Sequence, residues 1–132
     1  MKLEWQSKFE TGNDRIDFEH KIFLDIIIHI EREIREGKKP ERISRMLYEL
    51  QKYTEFHFVS EENIMIENGY PDFKGHTQHH ADLNEAFNNK KMLFEMGEGK
   101  AEDILAFLVE WFVNHTMHED TKIAQYIDSL QS

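Results

Sequence analysis

Cysteine is absent from this sequence. That gap removes disulfides, iron–sulfur ligation, thiolate zinc sites, covalently attached c-type haem and cysteine nucleophiles together. No apolar run approaches the ~18 residues needed to span a membrane. The first ten residues, Met1 to Glu10, are polar and lack the apolar core of a secretory signal. The expectation is a cytoplasmic protein with no membrane insertion. Positive charge is scarce: 16 Lys and Arg stand against 26 Asp and Glu, a formal net charge of -10. That balance argues against a nucleic-acid partner or an anionic membrane surface. Neither an internal repeat nor a low-complexity linker is visible.

What is present reads as helix. The 132 residues suit one domain, and 39% apolar with 32% charged residues suits a soluble helical protein with a charged exterior. After an aromatic-bearing arm with Trp5 and Phe9, Asn13 or Asp14 can cap a helix whose inner seam is Ile16, His20, Phe23, Ile27, Ile30 and Ile34. Gly37 to Pro40 stops it. A second seam, Ile43, Leu47, Leu50, Thr54, His57, Glu61 and Ile64, runs within about Glu41 to Glu67 and breaks at Gly69-Tyr70-Pro71. The third helix carries Phe73 or His76, His80, Leu83, Phe87 and Phe94, and ends at Gly97-Glu98-Gly99. The fourth, about Ala101 to Met117, has the seam Ile104, Leu108, Trp111 and His115, and a short amphipathic tail follows. The expected fold is all-α: an up-down-up-down four-helix bundle with an extended N-terminal arm and a short C-terminal helix. The boundaries are arm 1–13, bundle 14–117 and tail 118–132, within a single domain, 1–132.

Each seam carries polar residues that a plain core rejects: His20; His57 and Glu61; His76 and His80; His115 with Asp120. His20 and His57 lie about 18 residues either side of the first break, and His80 and His115 about 18 and 17 either side of the third. Glu61 and His76 flank the second at about 9 and 6. At ~1.5 Å rise per residue, antiparallel packing brings all of them to one end of the bundle. Burying that many imidazoles and carboxylates uncompensated is costly, and a metal centre removes the difficulty. Asp120 follows His115 by five residues, about 140° around an ideal helix. It reaches the same interior point only if the helix ends or bends there. A metal-free hydrogen-bond network and a zinc site are the other readings. The set exceeds the three or four ligands zinc takes and fits two metals better. Imidazole with carboxylate suits iron, with manganese second. His29, His79 and His118 fall off the seams and read as solvated or supporting residues.

Trp5, the run Ile16-Asp17-Phe18-Glu19-His20-Lys21 with Phe23, the run His57 to Glu62, the run His76 to His80, and Trp111-x-x-x-His115-x-x-x-x-Asp120 together resemble the hemerythrin family, in its single-domain bacteriohemerythrin form. The resemblance covers nearly the whole chain. It implies two iron ions with a bridging oxo or hydroxo group. His76, His80 and His115 would bind one iron and His20 and His57 the other, with Glu61 and Asp120 bridging both. The two-histidine iron then keeps one open position, where a diatomic molecule binds. The implied function is reversible dioxygen binding for delivery (oxygen transport), storage or buffering, with no catalytic residues and no protein partner identified. Phe23, Phe58, Trp111, Phe112 and Met117 are candidates for a wall that excludes water, with Thr116 beside it. The family usually carries aliphatic residues at the positions of Phe112 and Thr116, so these two bear on pocket dryness and gas affinity. A di-iron redox enzyme (peroxidase, oxidase or nitric-oxide chemistry), an O2 or redox sensor, or an iron-handling protein is the alternative. Against an enzyme, no Glu is followed by His three residues on, the pairing of carboxylate-rich di-iron proteins. A sensor normally needs an output domain, for which this length leaves no room.

Overall fold

The computed structural model describes residues 3–131. The first two residues of the expected arm and the last of the expected tail lie outside that range. The arm contains one short 3-10 turn, Ser7–Phe9, and leads into α1 (Asp14–Arg35), α2 (Pro40–Asn68), α3 (Phe73–Glu95) and α4 (Ala101–His115). A π-helical turn, Thr116–Asp120, then joins α4 to α5 (Thr121–Leu130). α1 packs on α2 and α4, and α3 packs on the same two helices, so the four close a square. Among the described residues there is no strand, and no helix is long and apolar enough to cross a membrane.

The punctuation works as the residue types dictate. The Asn13 side chain accepts the Ile16 N–H at 3.0 Å, capping α1. Pro40 occupies the first turn of α2, where its missing N–H costs nothing. At the other end Gly69 is left-handed (φ 62°), the Gly69 N–H donates to Ile66 and the Tyr70 N–H to Met65. Pro71 follows and cannot continue the helix. The arm is fastened by Asp17, whose carboxylate accepts the Thr11 N–H and hydroxyl, both at 2.8 Å, and the Gly12 N–H at 3.2 Å.

Two apolar clusters bracket the polar residues. The larger contains Phe23, Ile27, Leu47, Leu50, Phe87 and Leu108. The smaller, Ile16, Ile64, Met65 and Ile123, closes the opposite end, with Ile123 supplied by α5. The polar seam positions therefore lie in a layer between two dry ones.

The sequence extends the fourth helix to Met117, whereas regular α-helix stops at His115. The π turn is the physical reason. Its i→i+5 bonding places residues five apart near one face, which is the change of backbone that the His115–Asp120 spacing demanded.

Candidate metal centre

Seven side chains meet between the clusters, all at most 6% exposed: His20, His57, Glu61, His76, His80, His115 and Asp120. Each histidine turns Nε2 inward. Their donor atoms form two groups, one of His76, His80 and His115 and one of His20 and His57, and both groups include Glu61 and Asp120. The carboxylates divide their oxygens. Glu61 Oε1 lies 2.5 Å from His76 Nε2 and 3.0 Å from His80 Nε2, while Oε2 lies 3.3 Å from His57 Nε2. Asp120 Oδ1 lies 3.1 Å from His76 Nε2 and 3.0 Å from His115 Nε2, and Oδ2 lies 3.1 Å from His20 Nε2. Helical spacing on four helices produces this convergence for six of the residues, and the π turn supplies Asp120.

The donor set fits metal. Glu61 Oε2 and Asp120 Oδ1 are buried with no aligned hydrogen-bond donor, although nitrogens lie close. His115 Nε2 and His76 Nε2 face each other at 3.2 Å. Lone pairs aimed at shared interior points, and poorly at each other, are what cations between them would use.

Charge accounts for the proton positions when no cation is bound. Burial would drive a proton off His57, but Glu19 and Glu61 overcome it and hold its pKa at about 10. For His76 burial is likewise overcome, here by Asp120 and Glu61, again to about 10. Burial and the Asp120 charge push Glu61 up, yet His57, His76 and His80 leave it lowered overall. Asp120 is held well below the carboxylate range because His115, His20 and His76 outweigh its burial. Protons on imidazole thus occupy the role of cations.

Behind the inner residues sits a supporting layer that sequence reasoning did not assign. His57 Nδ1 donates to Glu19 Oε1 at 2.7 Å, and Ser60 donates its hydroxyl to Glu19 Oε2 at 2.8 Å. Glu19 stays ionised because His57 and Ser60, with Arg15, outweigh its burial. On the other side His80 Nδ1 donates to Glu62 Oε2 at 2.9 Å. These contacts fix ring orientation and raise ligand basicity. Each carboxylate is sequence-adjacent to one of the seven residues, Glu19 to His20 and Glu62 to Glu61, but neither lies on an inward seam. Stacking adds to the orientation: Phe58 lies flat on His80 (3.8 Å, 4°) and Trp111 on His115 (4.2 Å, 14°). His29, His79 and His118 are exposed and belong to neither donor group, although the His79 ring meets His115 edge-on at 5.8 Å.

A cavity of about 10 Å³, at the lower limit for one water, touches His20 and His57 but of the other histidines only His115. Phe23, Phe58, Trp111, Phe112 and Thr116 line it as the sequence proposed. Met117 does not: it is 37% exposed, because the π turn carries it outward one residue past Thr116. Thr54, read only as a seam residue, lines the cavity instead.

A family model described as Hemerythrin HHE cation binding domain matches residues 11–127. A bacteriohemerythrin of Clostridium acetobutylicum is 30% identical over 131 residues, spanning 94% of this chain and 98% of its own. One of Pseudomonas aeruginosa is 30% identical over 129 residues, spanning 98% of this chain and 82% of its own. A crystal structure of wild-type hemerythrin superposes with a TM-score of 0.86 at 28% identity, covering 95% of this chain and 97% of that one.

Proposed function

Because the chain belongs to the hemerythrin family, we propose that it binds dioxygen reversibly at two non-haem irons and is not an enzyme. His76, His80 and His115 would hold one ion and His20 and His57 the other, with Glu61 and Asp120 shared between them. When bound, the ferrous pair supplies the two electrons that a reversibly held dioxygen borrows and returns.

The observation that carries this reading is an asymmetry. The group with fewer histidines is the group beside the cavity, so an ion held there would have fewer protein ligands and would face the space for a small molecule. The remaining residues protect that arrangement. Phe23, Phe58 and Phe112 keep bulk water from the cavity, and the arm adds a further layer, with Phe9 packed edge-on against Phe112 at 5.4 Å. Water exclusion is what lets an electron-rich ligand leave unchanged. Glu19 and Glu62 hold His57 and His80 with Nε2 inward throughout.

The test is an optical spectrum of the iron-loaded, reduced protein before air, after air and after deoxygenation. A new absorption that appears with air and vanishes under vacuum, with iron content constant, is the expected result. An oxygenated state that vacuum cannot reverse, sustained O2 consumption with an added reductant, or failure to take up iron would overturn it.

A further inference from the structure

Two threonines line the cavity beside His20 and His57, and their hydroxyls differ. Thr54 Oγ1 donates to the Leu50 carbonyl at 2.7 Å, four residues back, as a helical threonine commonly does. Thr116 is 1% exposed, and its Oγ1 has no hydrogen-bond partner, although the Phe112 carbonyl lies four residues before it. The hydroxyl is on the first residue of the π turn and borders the cavity. A buried hydroxyl with no protein partner that borders a cavity is a donor available to whatever small molecule enters it.

We propose that Thr116 Oγ1 is the hydrogen-bond donor of the cavity, directed at the outer atom of bound dioxygen, and that it sets both how long dioxygen stays and the form in which it leaves. This rests on the oxygen-binding reading and deepens it. Binding shifts negative charge onto dioxygen, and a hydroxyl donor holds that charged form more firmly than the neutral molecule. Departure as neutral dioxygen is therefore slowed. The competing departure is oxidation, in which dioxygen keeps the two electrons it has borrowed, one from each ferrous ion, gains two protons from solvent, and leaves as hydrogen peroxide. The same hydrogen bond favours that route, because it opposes return of the borrowed electrons and so leaves the charged form longer to gain its protons. Thr116 is thus a positioning residue with opposite effects on two rates. A side chain that only filled space would move both rates in one direction, since a wider cavity eases every exit.

The experiment compares wild type, Thr116→Val, which keeps the shape without the hydroxyl, and Thr116→Ser, which restores it. Iron content is assayed first. Dioxygen dissociation is then followed by stopped flow, and oxidation in air by the loss of the oxygenated spectrum. Thr116→Val is expected to release dioxygen about tenfold faster and to oxidise several-fold more slowly, with Thr116→Ser within about twofold of wild type on both counts. A further readout needs no iron: metal-free Thr116→Val is expected to melt a few degrees higher, because no unpartnered hydroxyl remains buried. Both rates moving together, Thr116→Ser behaving as Thr116→Val, or a lower melting temperature for metal-free Thr116→Val would each overturn the inference. Wild type that takes no iron overturns the oxygen-binding reading and this inference with it. Iron-loaded, reversibly oxygenated wild type with unsplit rates overturns the inference alone.

Discussion

The four helical seams carry two unlike interiors. In one half of the bundle they present Ile27, Ile30, Leu47, Leu50, Phe87 and Leu108, each at most 1% exposed. In the other half the same seams, continued by the π turn, present Glu61, His76, His80 and Asp120, also at most 1% exposed. Burial and periodicity do not separate the halves. What separates them is whether the side chains complete one another. Aliphatic groups do so by close packing and exclusion of water. The polar half leaves Glu61 Oε2, Asp120 Oδ1 and Thr116 Oγ1 without an aligned hydrogen bond. One half is finished by the chain, and the other is finished by what it binds.

The largest effect is expected where one side chain serves both donor groups. Glu61→Ala removes an oxygen from each at once, so bound iron should fall from the proposed pair toward none, or any iron retained should lose magnetic coupling. Elemental analysis with magnetic susceptibility reads both. A fully coupled oxidised pair in that variant would mean Glu61 is no bridge. His80→Ala should lose metal from the three-histidine group, whereas His79→Ala, one residue away but exposed, should change neither metal content nor melting temperature. Equal loss in both would break the division between seam and surface.

The apolar half should answer differently. Leu50 is fully buried in the larger cluster, so Leu50→Ala should cost about 2–5 kcal/mol in denaturant unfolding with iron content per folded chain unchanged. Iron loss on the scale of His80→Ala would show that the two halves are not separable.

Most of this division was legible in the sequence, for a physical reason. Seams such as Ile43, Leu47, Leu50, Thr54, His57, Glu61 and Ile64 state which face is inward, and short breaks fix the heights, so the inner residues converge without further information. The backbone change at Thr116–Asp120 was legible only as a misfit: Asp120 sat about 140° away on an ideal helix. No proline or glycine marks the π turn, and the five-residue spacing itself was the signal. Met117 was misplaced for the same reason. Glu19, Ser60 and Glu62 went unassigned because they occupy the flanks of faces, where a carboxylate or hydroxyl ordinarily meets water. Only the neighbouring helix decides that Glu19 meets His57 and Ser60 instead.

The smallest and finest test concerns protons. In the metal-free protein His57 and His76 have folded pKa values of about 10 against 6.5 for a free imidazole. Their stabilisation is therefore present in full below about pH 6.5 and is lost as pH rises through 10. Glu19 and Glu61 are lowered from 4.5, and Asp120 from 3.8, so their contribution is present above those values and lost as pH falls. The metal-free protein should be most stable between about pH 4.5 and 6.5, and its melting temperature should decline steadily toward pH 10. Iron reverses the dependence, because only neutral imidazole ligates: loading releases protons and tightens as pH rises. Melting curves at about pH 5.5, 7.5 and 9.5 should thus fall without iron and stay level or rise with it. Metal-free Leu50→Ala should keep the wild-type slope at a lower temperature, since the apolar side chain it truncates does not titrate. A metal-free profile that stayed flat from pH 6.5 to 10 would mean the inward histidines are neutral, and that protons do not hold the cations' place.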